Sequence, residues 1–66
     1  MVENLAKKSI LIRVKDLPDE TGISVAQVKR LEKAGQFPRK RRVGAGVVGY
    51  LREEVEQWAR ELPQAG

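Results

Sequence analysis

Lys29, Arg30, Lys33, Arg39, Lys40, Arg41 and Arg42 crowd into residues 29–42, where Glu32 is the only acid. Elsewhere the signs mix: residues 1–28 hold four basic and four acidic side chains, and residues 43–66 set Arg52 and Arg60 against Glu53, Glu54, Glu56 and Glu61. All the excess charge of a chain with net charge +4 therefore lies in one window. A single-sign cluster repels itself unless a polyanion relieves it, and phosphate is the obvious polyanion. A solubilising patch or a tether to anionic lipid is the plainer use of such a cluster.

Other chemistry is sparse. The chain has no Cys and no His, so thiolate, disulfide, Cys/His zinc and imidazole chemistry are excluded. The lack of cysteine suits a reducing compartment. Sixty-six residues make one domain with a small core. A substrate pocket would have to be carved from that core, so no enzyme is expected, and no cofactor or metal. Glu53, Glu54 and Glu56 read as dipole partners in a helix's first turns rather than as catalytic carboxylates. Gly44-Ala45-Gly46 is not a phosphate-cradling loop, since no Lys-Ser/Thr follows it. No apolar run is long enough to cross a membrane, and the N-terminal stretch lacks a long apolar region and a small-residue cleavage site. A cytoplasmic location is expected. With a third of its residues charged and 41% hydrophobic, the composition is that of a globular chain.

The elements that must position the cations are marked to different degrees. Residues 1–9 are polar and aperiodic, a flexible tail by expectation. Ile10 to Val14 is a short strand or a lead-in. Lys15 to Thr21 supports two helical turns with Leu17 inward, Pro18 being tolerable only in the first turn, and Gly22 ends them. Next, Ser24 with Gln27 three residues on forms a capping box, and Ile23 with Val28 a hydrophobic staple. Val28, Leu31 and Ala34 supply an apolar face, and Gly35 and Pro38 mark the end, which predicts a helix over Val25 to Ala34. The segment after Pro38 reads as a β-hairpin around Gly44-Ala45-Gly46. Alternation sets Arg41 and Val43 on one side and Lys40 and Arg42 on the other; an inward Val43 sends Lys40 and Arg42 outward. Leu51, Val55, Trp58, Ala59 and Leu62 recur at helical spacing, predicting an amphipathic helix from about Arg52 to Leu62, stopped by Pro63. Phe37, Val43, Val48, Tyr50, Val55, Trp58 and Leu62 are the expected core beside the helices.

A short helix, a Gly-bearing turn and a well-capped second helix make a helix-turn-helix, whose second helix enters the DNA major groove. The face opposite Val28, Leu31 and Ala34 carries Ala26, Gln27, Lys29, Arg30 and Lys33. Gln suits adenine, Arg suits guanine, Lys suits phosphate, and Ala26 allows close approach or contact with a thymine methyl. Ser24 can cap while neighbouring backbone N–H groups meet a phosphate, and Gln27 is torn between capping and reading. Lys40, Arg41 and Arg42 follow on the hairpin, as a wing would. One Phe, one Trp and one Tyr are too few for a single-strand stacking platform.

The order "LIRV", "TGIS", "VKRLEKAGQFP", "RRVGAG", "VGYL" and "REEVEQWARE" resembles the AlpA-type prophage regulators and small excisionases over roughly residues 11–62. The resemblance implies a mostly α fold with a small β-hairpin, the MerR-like winged helix-turn-helix, spanning residues 10–62 with a short tail at 63–66. It departs from the family's pattern at Gly46, where an Arg or Lys often reaches the minor groove, and at Arg41, which stands where an apolar residue is common. The function implied is sequence-specific binding of double-stranded DNA by a non-catalytic regulator of transcription, an excisionase, or both. As an excisionase it would bend attachment-site DNA and recruit a separate phage integrase. The contending readings are an adaptor for an acidic protein partner and the DNA-targeting module of a phage packaging or replication complex. No heptad extension follows Leu62, and one module reads few base pairs, so a monomer that assembles cooperatively on DNA is expected.

Overall fold

The computed structural model describes residues 8–65. Strand β1 (Leu11–Ile12) leads through a 3-10 turn (Val14–Asp16) into helix α1 (Leu17–Thr21), followed by helix α2 (Val25–Lys33), the hairpin strands β2 (Arg41–Gly44) and β3 (Val47–Leu51), and helix α3 (Arg52–Arg60). The sheet is antiparallel in the order β1-β3-β2. This is a small winged helix-turn-helix, as the element pattern predicts.

Pro18 falls in the first turn of α1, where its missing N–H costs no helical bond. Gly22, at φ 76°, closes that helix through its N–H to the Pro18 carbonyl. The Thr21 hydroxyl donates back to the Leu17 carbonyl and accepts the Ile23 N–H, so it shapes the turn between the two helices. Helix α2 is closed at both ends. The Ser24 hydroxyl accepts the Gln27 N–H at 3.2 Å, and Gly35, at φ 75°, donates to the Glu32 carbonyl while Gln36 donates to that of Leu31. That pair of bonds is the Schellman arrangement.

Among the described residues six side chains form the core: Ile12, Leu17, Val28, Phe37, Tyr50 and Val55, with Val14, Ile23, Leu31 and Trp58 packed at its margin. Phe37 is its aromatic hub, edge-on to Tyr50 at 5.3 Å and to Trp58 at 4.6 Å. The Trp58 indole is half-buried rather than enclosed, and its N–H donates to the Gln36 carbonyl at 2.7 Å, pinning the segment that leads out of α2. At the other end of the sheet, Arg52 donates from Nε to the Ser9 carbonyl and from Nη1 to Glu20, joining the start of α3 to α1 and to β1's approach.

Four expectations are corrected. Val43 is 68% exposed and Leu62 50% exposed, so neither belongs to the core. Val43 lies at a bulge: Arg42 pairs with Val48 but Gly44 with Val47, and the extra residue breaks the alternation on which its inward placement rested. Helix α3 ends at Arg60, with Glu61 as its C-cap, so Leu62 lies beyond it; Ala59 is exposed. Ala34 is the exposed C-cap of α2, because a step of six residues at about 100° each turns it roughly 120° from Val28. The expected tail, residues 1–9, falls largely on residues 1–7, outside the described residues; at its end the Ser9 carbonyl accepts from Arg52 Nε.

Candidate nucleic-acid interface

Ala26, Gln27, Lys29, Arg30 and Lys33 all lie exposed on the outer side of α2, while Val28 is fully buried and Leu31 partly so. The cap divides the work of the predicted capping box. Ser24 accepts the Gln27 backbone N–H, but the Gln27 side chain does not return to Ser24; its Oε1 accepts from Arg30 Nη1 at 3.0 Å. The Gln27 side chain is thus exposed and joined to Arg30 rather than turned back to the cap.

The wing is less uniform than its sequence. Register places Arg42 on the sheet face of Val48 and Tyr50, and Arg41 on the face of Gly49. Arg41 reaches across to α3, where its Nη2 and Nε meet the two oxygens of Glu54. That hydrogen bond, followed by the carboxylate's charge, raises the Arg41 pKa. Val43 does not pack inward, so the ground for expecting an outward Arg42 is removed; Arg42 is nonetheless exposed, on an edge strand exposed along its whole length. Gly46, at φ 79°, takes the left-handed conformation that the turn demands, and a β-carbon there would strain the hairpin.

Lys29, Arg30, Lys33, Arg39, Lys40 and Arg42 are exposed, and among the described residues none of them is in an ion pair. Five of the nine predicted contact residues therefore share one helix face, Ser24 caps that helix, Lys40 and Arg42 lie on the wing, and Arg41 is turned to an internal partner.

Sequence reasoning treated Glu32 only as the lone acid in a basic window. In the structure it is the junction between helix and wing: Oε1 accepts the Tyr50 hydroxyl at 2.7 Å and Oε2 the Lys40 backbone N–H at 3.3 Å. The signal was present, since Glu32 stands four residues after the buried Val28 and so on the inner side of α2. Burial, and then the bond to Glu32, push the Tyr50 phenol well above the ordinary tyrosine range.

An open groove runs between the Phe37-Pro38 segment and α3, reaching Trp58 and Leu62. Among the described residues no three carboxylates are grouped to hold a metal ion, and no helix is long and apolar enough to cross a membrane.

A family model described as the prophage CP4-57 regulatory protein, AlpA, matches residues 10–62. No curated protein and no solved structure matches the chain.

Proposed function

The chain belongs to the AlpA family of prophage regulatory proteins, and from that premise we propose that it binds double-stranded DNA sequence-specifically, through α2 in the major groove and the β2–β3 wing beside it. The observation that carries this reading is the set of exposed cations without ion-pair partners among the described residues: Lys29, Arg30 and Lys33 on α2, and Arg39, Lys40 and Arg42 leading into the wing. A surface built for solubility alone intersperses both signs. Here Glu53 lies in the first turn of α3 and Glu20 is on Arg52, while Glu54 is matched to Arg41 and Glu32 to Tyr50 and the Lys40 N–H, so none of these acids is in an ion pair with the six cations.

In this reading Arg30 and Gln27 are the base readers, with Ala26 admitting close approach. Lys29, Lys33, Lys40 and Arg42 hold the phosphates and fix the register, and the backbone N–H groups beside the Ser24 cap meet a flanking phosphate. Arg41 serves the wing through Glu54 and contacts DNA only if that pair opens. The protein acts without catalysis, as a transcription regulator, as an excisionase that shapes attachment-site DNA for a separate integrase, or as both. It is monomeric in solution, and several copies on adjacent sites supply the specificity that one module lacks.

Footprinting across the promoters flanking its gene and across the element's attachment sites tests this. Protection of a defined sequence, repeated in adjacent copies, is expected; bending of the attachment site, measured by circular permutation, marks the excisionase role. Absence of any protected sequence would reject the proposal.

A further inference from the structure

We infer that Glu32 is a positioning residue for DNA recognition: its single carboxylate sets the recognition helix against the wing. This rests on the DNA-binding reading above. Glu32 is on α2, the Tyr50 hydroxyl that it accepts is on β3, and the Lys40 N–H that it accepts lies one residue before β2. One side chain therefore bonds the recognition helix to both sides of the hairpin. No other hydrogen bond found among the described residues joins α2 itself to β2, β3 or the residue that begins the wing. The Trp58 bond holds the segment after α2 to α3, and the Arg41–Glu54 pair holds β2 to α3. The Tyr50 ring is buried at 1% exposure, so the end of the bridge on β3 is rigid.

The arrangement has a consequence opposite in sign to simple electrostatics. Glu32 is the only negative charge in the basic window, and a carboxylate close to a phosphate-binding surface weakens binding by Coulomb repulsion. If charge were all that mattered, neutralising it would tighten binding to every duplex. A brace predicts the reverse on the cognate site. Helix and wing must meet the groove and its flanking phosphates together, and a small angular error between them loses contacts on one side.

Two variants separate these outcomes. Glu32→Gln keeps an acceptor for Tyr50 but cannot accept on both oxygens and loses the charge; Tyr50→Phe removes one bond and leaves the charge. Circular dichroism confirms that each is folded, and residual dipolar couplings of the free proteins report the orientation of α2 relative to the hairpin. The wild type is expected to hold one orientation, and both variants to lose it. On the footprinted site both should bind about tenfold more weakly, the scale of one lost hydrogen bond to a charged group, while affinity for random duplex stays level or, in Glu32→Gln, rises. An unchanged orientation, or Glu32→Gln binding the cognate site as tightly as the wild type or more tightly, overturns the inference. Should the wild type itself lack salt-dependent affinity for duplex DNA, the DNA-binding reading fails, and the couplings alone still decide whether Glu32 braces the wing.

Discussion

Arg41 and Glu54 face each other across the gap between the wing and α3, Nε 3.4 Å from one carboxylate oxygen and Nη2 bonded to the other. The pair makes two neighbouring arginines unequal. Arg42, one residue on, lies on the opposite sheet face with no ion-pair partner among the described residues. A guanidinium already matched to a carboxylate has less to gain from a phosphate, since the first contact must be given up.

Arg42→Ala is accordingly expected to weaken DNA binding and to flatten the dependence of log affinity on log salt by about one unit. Arg41→Ala should change that slope less and lower the melting temperature slightly, because it frees Glu54 and the wing's hold on α3. Parallel salt titrations of the two variants check this; equal slopes would show that the Arg41–Glu54 pair opens on DNA.

On α2, Arg30 carries the fork suited to guanine, and Lys33 sits in the last turn. Arg30→Ala should cost about 1–3 kcal/mol on the cognate site and relax the base preference there. Lys33→Ala should weaken cognate and random duplexes alike. Competition binding with a library of singly substituted sites distinguishes the two patterns.

Gly49 is the position on β3 that lets β1 come close. A β-carbon built there would stand 2.7 Å from the Ile12 carbonyl oxygen and 2.8 Å from Leu11 Cγ, and the first of these is backbone. Gly49→Ala should destabilise the domain by about 1–3 kcal/mol through overpacking. In a chain of this size each kcal/mol lowers the melting temperature by about 4–8 °C, which thermal unfolding reads directly. The Leu11 and Ile12 amides should lose protection first.

That contact shows what was not legible beforehand. Helix α2 could be read from the sequence because both of its ends carry their own chemistry, Ser24 at one and Gly35 at the other, independent of the rest of the fold. The recognition face followed from the helix, since Lys29, Arg30 and Lys33 are placed by its period alone. The wing could not be read as far. Its facing depends on a bulge between Arg42 and Gly44 that leaves no local mark in the sequence. Arg41 was separated from Arg42 only by Glu54, a partner thirteen residues away. Trp58 was expected inside because large aromatics usually are, yet its N–H has a partner at the surface, the Gln36 carbonyl, and the ring stays at the margin of the core. In Leu62 the helical period ran on past the helix itself.

The single tyrosine gives a pH test. Burial first, and then the Glu32 hydrogen bond and charge, raise the Tyr50 pKa in the folded state above its ordinary 10.0. A raised pKa contributes stability that is fully present below the unfolded value and is lost as pH climbs from there toward the folded one. The Tyr50 contribution to stability should therefore be lost at alkaline pH, above about 10. Tyrosinate absorbance should appear together with unfolding, followed in parallel by circular dichroism. Tyrosinate formed in the still-folded protein near the ordinary value would contradict the Glu32–Tyr50 contact.

The central claim is that the exposed cations of α2 and the wing neutralise DNA phosphates. Its most direct measurement is the affinity of the purified protein for duplex DNA, followed by fluorescence anisotropy over a series of salt concentrations. Each phosphate neutralised contributes a slope of about −0.9 to log affinity against log salt. The four side chains assigned to phosphates, Lys29, Lys33, Lys40 and Arg42, predict a linear fall with a slope of about −3.6, and a specific site that stays tighter than random duplex throughout. A flat line, with duplex bound no better at low salt than at high, would contradict the account.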